Sequence, residues 1–240
     1  MQELTGKLDD LVGRGRWDEA VSLLCSAREL AAERHDDALA LSVENELMGI
    51  FRMSAREDEF LSAAANAREL MKKVRIDRRT RGTILINMAT GLAAFARAEE
   101  ALPVCREAEA LFNAVLSPED VLFAALCNNM SAVFRALGDI ESAASYLVRA
   151  EKILQKSPHH PDLATTRVNL AQVFALSENG EDRAKEALDR AWEAFDDPEA
   201  VWDGYYAHTA LKCAGAFEDF GQGERAAELR ERADIIYERA

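Results

Sequence analysis

Trp17-Asp-Glu-Ala-Val-Ser-Leu-Leu-Cys-Ser-Ala-Arg-Glu-Leu30 holds the pattern that decides the fold. Ala20, Leu23, Leu24 and Ala27 fall at i, i+3, i+4 and i+7, the period of one helix face. The alanine pair seven residues apart then returns as Ala101/Ala108, Ala143/Ala150, Ala184/Ala191 and Ala226/Ala233, with Phe60/Ala67 filling the gap. First members are separated by 40, 41, 42, 41 and 42 residues. Six such pairs in register mean an internal repeat, and a fixed period of this size is the signature of stacked helical hairpins. Small side chains at these positions let neighbouring helix axes approach closely. A large apolar residue stands nine positions before each marker (Leu11, Phe51, Leu92, Phe134 and Phe217), so large packs against small. Phe174 joins the set if the loop Ser177-Glu-Asn-Gly-Glu-Asp182 is one residue longer.

The turns agree with this division. Gly15-Arg-Trp-Asp, Gly138-Asp-Ile-Glu, Asn179-Gly-Glu-Asp and Gly221-Gln-Gly-Glu each combine a left-handed helix cap with acids that favour the next helix N-terminus. Ser117-Pro-Glu-Asp, Ser157-Pro-His-His-Pro-Asp and Asp196-Asp-Pro-Glu separate successive hairpins, with Arg34-His-Asp-Asp serving the first boundary. The expectation is an all-α chain of about six hairpins forming a single array over 1–240. Its units span approximately 1–37, 38–78, 79–117, 118–160, 161–199 and 200–240.

These residues resemble the tetratricopeptide repeat (TPR) family. Gly15, Ala20 and Ala27, and again Gly138, Ala143 and Ala150, follow that family's small-residue framework of inner turn and second helix. The period exceeds the usual 34 residues. It is similar to the long-repeat subclass found in kinesin light chains and many bacterial repeat proteins. The resemblance implies a right-handed α-solenoid, or superhelix, that binds another protein. Its first helices would line a concave, peptide-binding groove. The family's extra capping helix has no counterpart in the sequence.

Charge limits the partner. Lys and Arg total 29 against 43 Asp and Glu, a net charge of −14. Nucleic acid and anionic membrane surfaces are therefore poor partners. Cys25, Cys105, Cys127 and Cys213 are dispersed at apolar helix positions, which suits a reducing cytoplasm better than a disulfide framework. The sequence shows no secretion signal and no apolar run of membrane-spanning length.

On the first helices, Asn45, Asn87, Asn129 and Asn169 recur 42, 42 and 40 residues apart, with Asn128 beside the third. An asparagine amide both donates and accepts, so a row of them can hold a peptide backbone; it can equally bond helix to helix. Arg52 and Arg135 occupy equivalent places further along two of these helices, fit either to clamp carboxylates or to pair with the chain's own acids. His208 and Lys212, with Tyr205 and Tyr206, begin the sixth first helix and would close the groove's end. The basic run Lys72–Arg81 reads as a solvated rim, and 178–203 carries ten acids against three bases.

Catalytic motifs are missing: there is no G-x-S-x-G, no phosphate-binding glycine loop and no H-E-x-x-H, so an enzyme is not expected. His159, His160 and Asp162 offer three potential metal ligands within four positions, but no fourth ligand or supporting shell accompanies them, so neither a genuine metal site nor a cofactor is expected. The reading is a cytoplasmic interaction scaffold. Two alternatives stand beside it: a peptide- or ligand-responsive regulatory receptor, and a structural protein self-associating through Ile235, Ile236 and Tyr237 of the last helix.

Overall fold

A computed structural model describes residues 7–8, 11–12, 15–157 and 160–239, which form eleven α-helices and no strand, with Lys7, Leu8, Leu11 and Val12 also helical. The chain parts into two compact units, Met1–Leu116 and Ser117–Ala240. The first contains α1 (Trp17–Glu33), α2 (Asp37–Met53), α3 (Glu57–Lys73), α4 (Arg78–Ala94) and α5 (Ala98–Asn113). The second contains α6 (Val121–Ala136), α7 (Ile140–Leu154), α8 (His160–Ala175), α9 (Glu181–Phe195), α10 (Gly204–Asp219) and α11 (Gly223–Arg239). Helices α2–α3, α4–α5, α6–α7, α8–α9 and α10–α11 pack as antiparallel hairpins.

One local device makes every hairpin. Five residues before each marker, the backbone turns left-handed: Gly15, Ala55, Ala96, Gly138, Asn179 and Gly221 all have positive φ. In five of the six turns, the next residue's N–H reaches back to the carbonyl of the large apolar residue: Arg16 to Leu11, Arg56 to Phe51, Arg97 to Leu92, Asp139 to Phe134 and Gln222 to Phe217, at 2.7–2.9 Å. The N–H of the left-handed residue itself bonds one step inside, as Gly138 does to Arg135 O at 3.1 Å. These two bonds satisfy the last carbonyls of the first helix and reverse the chain. The fifth hairpin is the variant anticipated from its longer loop. Gly180 there sits so close to the carbonyl of Phe174 that no Cβ would fit.

The markers are the floor of the core. Ala20, Ala67, Ala101, Ala108, Ala143, Ala150, Ala184, Ala191, Ala226 and Ala233 are all buried, while Ala27 on α1 is only half-buried. Phe60 replaces alanine in the second hairpin and is nevertheless fully buried. It is accommodated because α4 places Gly91 against it, where a Cβ would fall inside the Phe60 ring. The large-against-small rule is kept, with the roles exchanged between helices.

Helix α11 folds back onto α10 and buries Ala226, Leu229, Ala233 and Ile236. This corrects the expected association surface: Ile236 lies on the inward stripe and is 7% exposed, Ile235 is half-buried, and only Tyr237 is exposed. Arg232 fixes the same helix. Its guanidinium lies 5.0 and 5.1 Å from the Trp192 and Trp202 rings, and donates to Phe195 O, Tyr206 Oη and Asp196 Oδ1.

Each unit also buries a carboxylate. In the second, Glu151 accepts from Arg167 Nε at 2.8 Å and Arg190 Nη1 at 2.9 Å. In the first, Glu44 is 3% exposed, stands 3.7 Å from Arg28 and 3.4 Å from Asn66 Nδ2, and its Oε2 has no hydrogen-bond partner among the described residues. Burial pushes the Glu44 carboxyl above its ordinary value of 4.5, and Arg28 offsets this only in part.

Two outcomes follow from these contacts. Ala96→Gly should raise stability by about 0.5–1 kcal/mol, because glycine adopts positive φ without the Cβ clash; the urea midpoint reads it. Below pH 4.5 Glu44 is protonated in both states and costs nothing, and as pH rises through its raised folded value that stability is lost. Glu44→Gln should therefore increase the denaturation midpoint at pH 7 and leave it unchanged near pH 4.

Candidate functional site

Helices α2 and α4 are both first helices and lie side by side in the first unit. On α2, Ala38, Leu41, Ser42 and Asn45 form one stripe at i, i+3, i+4 and i+7; on α4 the facing stripe is Thr80, Thr83 and Asn87. The two stripes meet where Asn87 Nδ2 donates to Asn45 Oδ1 at 2.9 Å, both residues being half-buried. Asp36 and Asp77 set the helix starts, accepting from Leu39 N and Thr80 N at 2.9 Å. Asn45, though not Asn87, also lines an open cavity of about 410 Å³. Leu41, Thr83 and Ile84 form its helical walls, and Val74 and Ile76 from the linker after α3 form another.

That linker lies in the middle of the basic run, whose Lys72, Lys73, Arg75, Arg78 and Arg79 are exposed as a solvated rim requires, while Arg81 donates to Met71 O at 2.7 Å across it. The apolar residues between the charges thereby turn toward the cavity.

The second unit has its own amide pair, α6 to α8. Asn169 Nδ2 donates to Asn128 Oδ1 at 2.9 Å, and Asn128 Nδ2 donates to Thr166 Oγ1 at 2.9 Å and to Ala124 O at 3.1 Å. The pairing therefore runs through Asn128, where the repeat spacing had pointed to Asn129. Asn129 instead donates to Ala125 O of its own helix at 3.1 Å. The pairing keeps one register in both units: Asn45 and Asn128 stand six residues before Phe51 and Phe134, and Asn87 and Asn169 five before Leu92 and Phe174.

The other expected site residues are dispersed. Arg52, on α2, is half-buried, and no described carboxylate lies within ion-pair distance of it; burial lowers its pKa from the ordinary value. Arg135 is exposed and donates to Gln172 Oε1 at 3.4 Å. His208 and Lys212 are exposed on α10. Tyr205 donates to Asp162 Oδ1, while Tyr206 is buried with its hydroxyl donating to Phe195 O at 3.0 Å. His159 lies outside the described residues. His160 stands 3.6 Å from Asp197 instead of joining Asp162.

A repeating rim of arginines was invisible to a motif search. Arg16, Arg56 and Arg97 each follow a left-handed turn and hold the acid three residues on, Glu19, Glu59 and Glu100. Arg56 and Arg97 also reach Asp18 and Glu57 of the preceding hairpin at 3.3 Å. Such exposed pairs add little to stability. They align hairpins rather than hold the fold. Burial pushes the Cys105 thiol up to about 12 and Cys213 to about 11, which keeps both protonated and chemically quiet at neutral pH. No described helix is long and apolar enough to cross a membrane.

Residues 121–197, spanning α6 to α9, match the tetratricopeptide repeat family model. No curated protein sequence matches the chain. Among solved structures, it is similar to a Podospora anserina kinesin light chain of nearly identical TPR-like repeats, with 19% identity over 82% of this chain and 94% of that one, TM-score 0.57. BtubC (BKLC) from P. vanneervenii matches at 18% identity over 94% of this chain and 91% of that one, TM-score 0.62. Aspartyl phosphate phosphatase F from Bacillus subtilis matches at 14% identity over 94% of this chain and 68% of that one, TM-score 0.65. At these identities the likeness is one of fold. Residues 121–197 are tetratricopeptide repeats, and the hairpins on either side of them share that fold.

Proposed function

We propose that the chain is a protein-interaction scaffold, and that its first unit holds a segment of a partner protein in the groove between α2 and α4. An open cavity lined by Asn45, whose amide is joined to Asn87, and by both apolar and polar side chains carries this reading. The cavity, at about 410 Å³, is within the range of about 300–1,000 Å³ that ligand sites occupy. Leu41, Ile84, Val74 and Ile76 offer an apolar anchor point, and the amides offer polar groups that fix a chain's direction. The pair is not exhausted by its own contact. Asn45 Nδ2 makes only a 3.4 Å contact with Glu46, and among the described residues nothing donates to Asn87 Oδ1. An extended segment supplies the matching backbone acceptor and donor. Similarity to TPR-repeat proteins supports the same class of function.

A photo-reactive benzoylphenylalanine placed at Thr83 in the groove should capture one partner protein, identified by mass spectrometry. The same group at the exposed Lys185 of α9 should not capture it. Thr83→Arg, which fills the cavity from an already half-exposed position, should abolish capture with the circular dichroism unchanged. Identical adducts from both positions, or capture unaffected by Thr83→Arg, would place the interaction elsewhere.

A further inference from the structure

His160 opens α8, and Asp197 and Glu199 lie in the segment joining α9 to α10. One ligand atom from each comes within 4.8 Å of the other two. The closest pair, His160 Nδ1 and Asp197 Oδ2, stands at 3.6 Å. That is too long for a hydrogen bond. It is close to the edge of about 3.4 Å that two ligands span across a tetrahedral ion with bonds near 2.1 Å. Asp197 is also held in place: its Oδ1 accepts from Glu199 N at 2.8 Å, which leaves Oδ2 toward the imidazole. Pro198 stiffens the chain between the two carboxylates. The neighbouring Asp196 is committed to Arg232 at 2.7 Å and does not compete.

We propose that His160, Asp197 and Glu199 bind a divalent first-row transition ion, with Zn²⁺ and Co²⁺ as representatives and water completing the shell. One imidazole and two carboxylates form a nitrogen–oxygen donor set suited to such ions. The surrounding field favours a cation, because 178–203 holds ten acids and three bases. The positive end of α8 works against it, but that is one partial charge beside seven net negative ones. His160 and Asp197 are half-buried and Glu199 is exposed, so an ion can enter from solvent while two ligands stay positioned. Bound there, the ion ties the start of the fifth hairpin to the loop that leads into the sixth.

Zinc titrated calorimetrically into chelator-treated protein should bind at one equivalent and raise Tm. His160→Ala should weaken that binding by roughly tenfold or more, since even outer-sphere partners of a metal carry that much. His208→Ala, an exposed histidine away from the cluster, should leave it intact. Co²⁺ should give visible d–d bands without thiolate charge transfer, which separates this site from Cys25. Absence of stoichiometric binding, binding that survives His160→Ala in the folded variant, or a thiolate band would each overturn the proposal.

Discussion

The left-handed turn five residues ahead of each small residue is the constraint from which the rest of the structure follows. Its bond to the carbonyl of Leu11, Phe51, Leu92, Phe134 or Phe217 fixes where the first helix stops. The five-residue spacing then sets the marker alanine on the second helix. Large and small residues are thereby brought to opposite sides of one hairpin by backbone geometry alone. Because the turn spacing and the marker spacing are the same, successive hairpins within a unit present the same faces to one another. That equality is what allows an amide at one first helix to meet an amide at its neighbour.

The repeat could be read from the sequence because the small residues on the second helix vary little. The turn was harder to see. Gly15, Gly138, Asn179 and Gly221 advertise positive φ, but Ala55 and Ala96 adopt it silently, since nothing in an alanine's chemistry announces a left-handed conformation. Phe60 looked like a lapse in the pattern until α4 supplied Gly91, a compensation some thirty residues away that local periodicity does not detect. Ile236 was misplaced for the opposite reason. The stretch Asp234-Ile-Ile-Tyr237 shows apolar residues on two faces, and only the packing of α11 on α10 decides which is inside.

The amide row was legible as a row, while its use was not. Asn128 and Asn129 are adjacent, and spacing alone favours Asn129, whereas each pair joins a residue six before the large apolar residue on one helix to a residue five before it on the next. The groove's third wall could not be found at all. Val74 and Ile76 sit inside a run of arginines and lysines, and a charge run suggests a solvated surface. Only the folding of that run, through Arg81 onto Met71 O, turns its apolar residues to the cavity.

The two amide pairs differ in a way that bears on recognition. In the second unit, Asn128 spends its N–H groups on Thr166 Oγ1 and Ala124 O, and Thr166 is itself satisfied by Asp162 O at 2.9 Å. That network ties three side chains and two backbone carbonyls across the two helices, and such a polar network fixes register. In the first unit the same interhelical bond forms, and Asn45 also lines an open cavity. Packing alone explains the pair in the second unit. One repeated amide thus serves helix alignment in both units, and in the first it also borders an open cavity.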